Sequence, residues 1–227
     1  MVRKTSKLAG IVDRLRDHYG PQSPPPARSA FELILWEKVA YLADDEKRAG
    51  AFQTLRKRVG LTPKAILAAD PAELREIAAL GGSIAPADRA QHMRDAAEMV
   101  VGDFGGSLDR ATKLPLREAK RALRKFHGVG EPGAEKILLL TRAHKCLPLD
   151  SNAARALCRL GYGSEQKNYS AMYRSVTEAV KPELVDDFDW LIDAHVLLRH
   201  HGQMICKTSN PRCDQCPVRG VCAYVNT

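Results

Sequence analysis

The stretch from Phe126 to Ala134 constrains the fold most, because it joins two helical patterns through a turn that is rich in glycine. An amphipathic segment at 116–126 leads into it, and an apolar segment at 134–140 leads out. Gly128 and Gly130 flank a single small apolar residue in the turn. Glycine accepts positive φ and lets a second backbone approach closely, so this pattern predicts a helix–hairpin–helix turn.

The start of the second helix is a predicted anion site. Amides in the first turn of a helix have no acceptor within that helix, and the helix dipole favours negative charge there. Phosphate is the obvious ligand for such a site. We therefore expect the backbone around the turn to bind a phosphate at Gly128, Val129, Gly130 and Gly133.

The composition is that of a basic protein with enough apolar residues for a real core. The 227 residues are 44% hydrophobic, with a net charge of +8 and a pI near 9.3. This charge suits a polyanion such as nucleic acid, and equally an ordinary lysine-rich surface. No apolar run approaches the roughly 18 residues that span a bilayer, and the basic N-terminus lacks an apolar signal core. We expect a cytoplasmic protein without membrane association or disulfides.

The rest of the chain is predicted to be all-α, because helical periods and capping signals follow one another without an alternating strand pattern. Ser29 and Asp70 open capping boxes, and Thr62-Pro63 supplies a cap with proline in the first turn. The main helical segments are predicted at residues 3–19, 30–42, 51–59, 88–101, 153–160, 169–180 and 184–201.

Glu37 interrupts an apolar run that is predicted to be buried. A buried carboxylate is costly unless it is paired or has a chemical task. The sequence leaves both interpretations open. Glu37 either pairs with Lys38 or Lys47, or faces solvent, or serves a reaction.

Four of the six cysteines lie within 17 residues at the C-terminal end and predict a metal site. Their spacing has one tight pair with wider arms, which favours a [4Fe–4S] cluster over tetrahedral zinc. The predicted ligands are Cys206, Cys213, Cys216 and Cys222. Cys146 and Cys158 lack such spacing and are interpreted as ordinary buried thiols.

The hairpin and the cysteines together resemble the endonuclease III family of helix–hairpin–helix DNA glycosylases. His201-Gly202 followed by the four cysteines is similar to the [4Fe–4S] loop of that family, and Gly128-Val129-Gly130 followed by Asp150 is similar to its hairpin and catalytic aspartate. The resemblance spans residues 28–225. It implies a six-helix barrel domain at 28–146 and an iron–sulfur domain formed by 1–27 with 147–227.

The same resemblance implies that the chain acts on double-stranded DNA held between the two domains. Asp150 would stabilise the cationic sugar and orient or activate water. From the residues alone, Asp150 is also a helix N-cap, and the two roles are compatible. The target base must leave the stack, and Leu42 or Ile84 would fill the gap.

Two departures from the family pattern bear on the reaction. Bifunctional members carry a Schiff-base lysine two residues after the second hairpin glycine, and this chain has Pro132 there. Lys136, one turn further, would need a different geometry. Glu37 falls where adenine-removing mismatch glycosylases place a catalytic glutamate, which implies a general acid. We expect none of the 227 residues to form the extra domain with which those enzymes recognise an oxidised guanine.

We therefore predict a monofunctional DNA glycosylase of base excision repair, acting as a monomer on nucleoid DNA. One alternative is a bifunctional glycosylase with AP-lyase activity. The other is a structural DNA-binding protein that has lost catalysis. The sequence does not identify the base that is removed.

Overall fold

The computed structural model describes residues 6–166 and 168–226, and none of these forms a β-strand. The all-α prediction is therefore confirmed for the described chain, while the part of the first predicted helix at residues 3–5 lies outside it. The α-helices are, in chain order, α1 (Lys7–Tyr19), α2 (Ala30–Val39), α3 (Asp45–Arg58), α4 (Pro63–Ala68), α5 (Pro71–Leu80), α6 (Pro86–Phe104), α7 (Asp109–Thr112), α8 (Leu116–Leu123), α9 (Glu131–Leu140), α10 (Ser151–Arg159), α11 (Tyr169–Val180), α12 (Phe188–Met204) and α13 (Ala223–Asn226). Three 3₁₀ turns occur at Lys181–Glu183, Cys213–Gln215 and Arg219–Val221.

The predicted helix caps are present. The side chains of Ser29, Thr62 and Asp70 each accept a hydrogen bond from an amide in the first turn of the helix that follows. For Asp70 the donor is the amide of Ala72 at 2.8 Å, one residue earlier than in a capping box. These caps satisfy amides that would otherwise lack a partner, and so fix where α2, α4 and α5 begin.

Two predicted helix starts are wrong. α3 begins at Asp45 rather than at residue 51, because Asp44 caps it by accepting from the amide of Lys47 at 2.8 Å. α12 begins at Phe188 rather than at residue 184, because a 3₁₀ turn at Lys181–Glu183 precedes it and Asp187 caps it. In both places the aspartate that caps the helix, and not the first apolar residue of the pattern, sets the start of the helix.

The chain divides into two compact units. One comprises the described residues of Met1–Pro24 and Lys145–Thr227, and the other comprises Pro25–His144. The domain assignment predicted from the sequence, with limits at 27/28 and 146/147, remains a prediction.

In the unit Pro25–His144, α2 is the central helix. Nearly all of its side chains are buried, and it packs against α3, α5, α6 and α9. Trp36, predicted to be a core residue, is buried edge-on against Phe52 with ring centroids 5.3 Å apart. Burial of α2 on nearly every side leaves few positions on it for polar chemistry, and Glu37 occupies one of them.

In the other unit, α12 packs against both α10 and α1. The approach of α12 to α10 is closest at Gly202, where an added Cβ would lie 2.5 Å from the carbonyl oxygen of Asn152. Only a residue without a side chain allows this crossing. The crossing brings the first turn of α10 against α12.

Among the helices of the described residues, none is both long enough and apolar enough to cross a membrane.

Candidate active site and cysteine cluster

The turn between α8 and α9 is the predicted hairpin. Gly128 has φ +70°, in the region that favours glycine, whereas Gly130 has φ −80° and caps α9 in extended conformation. Only Gly128 therefore adopts the positive φ that the sequence suggested for both glycines. A Cβ at Gly128 would lie 3.1 Å from the ammonium nitrogen of Lys38, so the turn is also closely packed.

The first turn of α9 carries the predicted phosphate site. Pro132 has no N–H, and the amide of Val129 donates to the carbonyl of Phe126 at 3.0 Å, within the turn. Geometry leaves the amides at Glu131 and Gly133 without an acceptor in the helix. The carboxylate of Glu131 forms ion pairs with Lys120, at 2.5 Å, and with Arg124.

Lys38 connects α2 to this hairpin. Its side chain is buried and donates to the carbonyl oxygen of His127, the residue before Gly128. Burial lowers the pKa of Lys38, and the charge of Glu37 acts in the opposite direction. A buried ammonium on α2 thus helps to hold the hairpin in place.

Glu37 lies beside α9. Its Oε1 accepts from the Nζ of Lys136 at 2.6 Å. The two side chains are partly open to solvent, at 37% for Glu37 and 21% for Lys136. Because α2 and α9 are in contact, this ion pair places a carboxylate next to the helix that begins at the hairpin. The sequence left Lys38, Lys47 or solvent open as the surroundings of Glu37, and the 2.6 Å bond is with a lysine 99 residues away along the chain.

Pro132 stands in the first turn of α9, at the position where the resemblance described above implies a lysine in bifunctional enzymes. Lys136 is four residues further along and therefore on the same face of the helix. Side chains in a helix lean toward its N-terminus, so Lys136 leans toward the hairpin end. This explains how an amine that seemed poorly placed in the sequence lies next to Glu37.

Two apolar side chains protrude from neighbouring loops of the same unit. Leu42 is 78% exposed and has φ +47°, and Ile84 is 47% exposed. Arg89 is buried and joins these loops, because its guanidinium donates to the carbonyls of Val39 at 2.7 Å, Ile84 at 2.9 Å and Gly82. An exposed leucine in left-handed backbone is unfavourable on both counts, which marks Leu42 as a functional candidate.

In the other unit, Asp150 is the N-cap of α10, as the sequence predicted. Its Oδ1 accepts from the amide of Ala153 at 2.8 Å. Its Oδ2 lies 3.6 Å from the Nε of Arg199 on α12 and 3.5 Å from the side-chain Nδ2 of Asn152. The side chain is about one-third exposed, so Oδ2 can reach a ligand.

The backbone leading to Asp150 is fixed from two sides. The Nδ1 of His195, a buried residue of α12, lies 2.9 Å from the carbonyl oxygen of Pro148 and donates to it. The hydroxyl of Tyr169 donates to the carbonyl of Leu149 at 2.7 Å. These bonds orient the two carbonyls before Asp150, and the carboxylate is therefore held by the fold as well as by its own cap.

The four predicted ligand cysteines line one cavity, together with His201 and residues of α10. Among the described residues, no group of three or more His, Cys, Asp or Glu is arranged to hold a single metal ion as it stands. Cys146 and Cys158, expected to be buried, are both half-buried and lie outside this cavity.

Two arginines attach α10 to the segment that carries the four cysteines, residues 205–222, called here the cysteine loop. Arg155 donates to the carbonyls of Gly202 at 2.8 Å and Cys206 at 2.9 Å. Arg159 donates to the carbonyl of Lys207 at 2.7 Å and lies 3.5 Å from the Sγ of Cys206. Burial raises the pKa of the Cys206 thiol, while Arg159 opposes this shift. The guanidinium groups supply positive charge where a set of thiolates would need it.

His201 lines the same cavity. It is buried, its Nε2 lies 3.7 Å from the Sγ of Cys216, and its Nδ1 is 2.9 Å from the hydroxyl of Tyr19. Burial, followed by the charges of His18 and His200, lowers the pKa of His201 to about 4. The imidazole is therefore neutral at physiological pH.

The sequence missed several residues that position these groups. Buried charged residues such as Lys38 and Arg89 bind carbonyls that are distant in the chain, and no periodic pattern in the sequence predicts such contacts. Arg199 was assigned only to a helix. Lys136 had one available signal, its spacing of four residues from Pro132.

The hairpin, the capped aspartate that follows it and the all-helical architecture define the class of helix–hairpin–helix DNA repair glycosylases. The chain belongs to the HhH-GPD superfamily of base excision DNA repair proteins, whose family model matches residues 43–182. The matched region contains the hairpin and Asp150.

Individual relatives agree with this assignment. The chain is 28% identical over 202 residues to endonuclease III of Sulfolobus acidocaldarius, which covers 87% of this chain and 83% of the relative. Its fold is similar to that of a thermostable thymine-DNA glycosylase, with a TM-score of 0.75 at 17% identity, covering 96% of this chain and 94% of the other. A trapped covalent intermediate of endonuclease III with DNA gives a TM-score of 0.74 at 18% identity, with the same coverage. The chain therefore has the fold of endonuclease III-type glycosylases.

Proposed function

We propose that this protein is a monofunctional DNA glycosylase that hydrolyses the N-glycosidic bond of a damaged or mismatched base in double-stranded DNA. The observation that carries the proposal is Pro132 in the first turn of α9, where a bifunctional relative would need an amine. Without that amine, water is the nucleophile. The proposal includes action as a monomer on nucleoid DNA in the cytoplasm.

Asp150 is the proposed catalytic carboxylate. Cleavage of the glycosidic bond leaves positive charge on the sugar, and an adjacent carboxylate stabilises that charge. Oδ1 is used by the cap, which leaves Oδ2 for the sugar or for the attacking water. The cap and the bonds to Pro148 and Leu149 keep this carboxylate in one orientation, as preorganised stabilisation requires.

Glu37 is the proposed general acid for the departing base. It is one of the few polar positions on α2, and its pair with Lys136 places it beside the hairpin helix. The exposed amides of the hairpin, with Gly128 and Gly130 allowing close approach, would bind a backbone phosphate without reading sequence. Leu42 or Ile84 would fill the gap left by the flipped base.

The proposed cofactor is a [4Fe–4S] cluster held by Cys206, Cys213, Cys216 and Cys222, with zinc as the less favoured occupant. The residues fit such a group, because the four thiols line one cavity and Arg159 of α10 lines it with them. When bound, the metal group would fix the C-terminal loop by coupling ligand binding to folding. Arg155 and Arg159 would pass that order to α10, which carries Asp150 at its other end.

A second candidate is a bifunctional glycosylase with AP-lyase activity. The observation that favours it is the amine of Lys136, on the same helix face as Pro132 and next to Glu37. Borohydride would trap the Schiff base that such an enzyme forms. A third candidate, a DNA-binding protein without catalysis, would release no base at all.

The proposed function is tested by a base-release panel. The purified protein is incubated with duplexes that carry uracil, mismatched thymine, hypoxanthine, alkylated purines, oxidised pyrimidines, or adenine opposite oxidised guanine. Free base is then identified by mass spectrometry. Release of one base class would support the proposal and name the substrate, whereas DNA binding without release of any base would support the non-catalytic alternative.

A further inference from the structure

We propose that Lys136 is the proton reservoir for Glu37: it holds the carboxylate in place in the free protein and passes it a proton when DNA covers the pair. This inference rests on the proposed glycosylase function and deepens it. It gives a role to an amine that the family's reaction does not use at this position, and it explains how Glu37 can act as an acid.

The first step is the ionisation of Glu37 in the free protein. The carboxylate is 2.6 Å from the ammonium of Lys136, and the charge of Lys38 on the same helix also acts on it. Both cations favour the ionised carboxylate. An ionised Glu37 has no proton to give, so the general acid needs a source of protons.

Several charged groups on the helices next to α2 and in the hairpin are bound to partners other than Glu37. Arg48 of α3 donates to the carbonyls of Trp36 and Ala40, and Arg89 of α6 donates to that of Val39. Arginine does not release its proton in proteins. Lys38 donates to the hairpin carbonyl of His127. The rings of His92 and His127 stack on one another, with centroids 3.7 Å apart.

The second step is the effect of covering the pair. Glu37 and Lys136 are partly exposed, so a bound duplex can remove water from them. Loss of water disfavours both charges and favours the neutral acid with a neutral amine. At 2.6 Å the proton moves from Nζ to Oε1 without any rearrangement of the side chains.

Each proton in the reaction then has a source and a destination. The bond from C1′ to the base nitrogen breaks, and that nitrogen takes the proton from Glu37. Water forms the new bond to C1′ and loses its proton to solvent. The pair is left as a carboxylate and a neutral amine, and Lys136 regains a proton from water after the product leaves.

Lys136→Arg is the informative variant, because it keeps the positive charge and the ion pair but cannot release a proton at neutral pH. We expect single-turnover base release at pH 8 to fall about 100-fold in Lys136→Arg, and to a similar extent in Lys136→Met, since general acid catalysis contributes about 10²–10⁴-fold. A control is Lys47→Arg, which alters an exposed ion pair with Asp44 in the same unit and is expected to leave base release unchanged.

The pH profile separates proton supply from structural support. In Lys136→Met the proton must come from solvent, so the defect should shrink from about 100-fold at pH 8 to a few-fold near pH 5, approaching the ordinary pKa of glutamate of about 4.3. A defect of constant size at every pH, or normal activity in Lys136→Arg, would overturn the proposal. If the unmodified protein releases no base from any duplex, the proposed function itself fails, and that outcome is distinct from active wild-type protein with unaffected variants.

Discussion

Asp150 performs two tasks with one carboxylate. Its Oδ1 caps α10, and its Oδ2 faces Arg199 and the solvent. The cap fixes the direction of the side chain, so Oδ2 is already oriented before DNA arrives. A residue with this arrangement can be altered chemically without loss of its structural role, which makes the catalytic assignment testable.

We expect Asp150→Asn to lower base release by at least about 100-fold while leaving stability and DNA binding nearly unchanged. Asparagine is as good an N-cap as aspartate, but it cannot stabilise a cationic sugar as a carboxylate does. Single-turnover base release, thermal denaturation and a DNA-binding titration measure the three properties. Base release at the wild-type rate would remove Asp150 from the reaction.

Leu42 is the residue whose exposure and backbone conformation are both unfavourable. If Leu42 fills the gap in the duplex, Leu42→Ala should slow base release from fully paired duplex DNA by about tenfold. The leucine side chain would otherwise offset part of the free energy that unstacking the base costs. Release from single-stranded DNA should change little. The free energy of unfolding should shift by less than about 0.5 kcal/mol, since the residue is 78% exposed.

The matched control for Leu42 is Val101→Ala, which shortens another exposed apolar side chain, on α6. It should leave both rates alone. Equal loss of activity in the two variants, or equal loss on single-stranded and duplex DNA, would assign Leu42 no part in base flipping, and Ile84 would then be examined in the same way.

At the scale of elements, α10 connects two predicted sites of one unit. Its N-terminus carries Asp150, and Arg155 and Arg159 in its later turns bind carbonyls of the cysteine loop. Gly202 lets α12 cross the first turn of α10 closely enough for this arrangement. A single helix therefore links the cysteine loop to the proposed catalytic carboxylate.

The hairpin is the second element whose geometry can be tested. Gly128→Ala should lower the free energy of unfolding by about 1–2 kcal/mol, because alanine at φ +70° is strained and its Cβ presses on the ammonium of Lys38. DNA binding should weaken with it. Gly130→Ala is the matched comparison for stability: its φ is −80° and the nearest atom to an added Cβ is 3.8 Å away, so the change should stay within about 0.5 kcal/mol.

Equal stability of the two glycine variants in chemical denaturation would contradict this account of the turn. It would mean that the backbone at Gly128 relaxes without cost.

At the scale of the whole molecule, the cysteine loop is expected to need its metal. Cys213→Ser should lose iron, lower the midpoint of thermal unfolding and slow base release, since metal binding contributes to folding and the loop supports α10. Iron content, visible absorbance and base release measure these effects. Cys146→Ser, which alters a cysteine outside the cavity, should keep its iron. Stoichiometric zinc in the wild-type protein, without iron, would contradict the cluster assignment.

Local signals account for what the sequence predicted correctly. The caps at Ser29 and Thr62, the positive φ at Gly128 and the capping role of Asp150 each depend on residues within four positions of one another. The misplaced start of α3 shows the limit of this approach, because Asp45 and its neighbours are charged and carry no apolar period.

Contacts between distant residues could not be predicted in this way. Glu37 meets Lys136 across 99 residues, and Arg89 meets Val39 across 50. Such pairs arise only when helices pack, and the choice of partner depends on where each side chain emerges. The sequence alone therefore left Lys38, Lys47, solvent and a reaction open for Glu37, and it did not pair Glu37 with Lys136.

The most direct test of the central claim is strand cleavage by the wild-type protein on its preferred duplex, with and without hot alkali and with borohydride present. A monofunctional glycosylase leaves an intact strand with an abasic site, so we expect cleavage only after alkali and no protein–DNA adduct with borohydride. Cleavage without alkali, accompanied by a trapped adduct that disappears in Lys136→Arg, would contradict the claim and show that an amine takes the place of water.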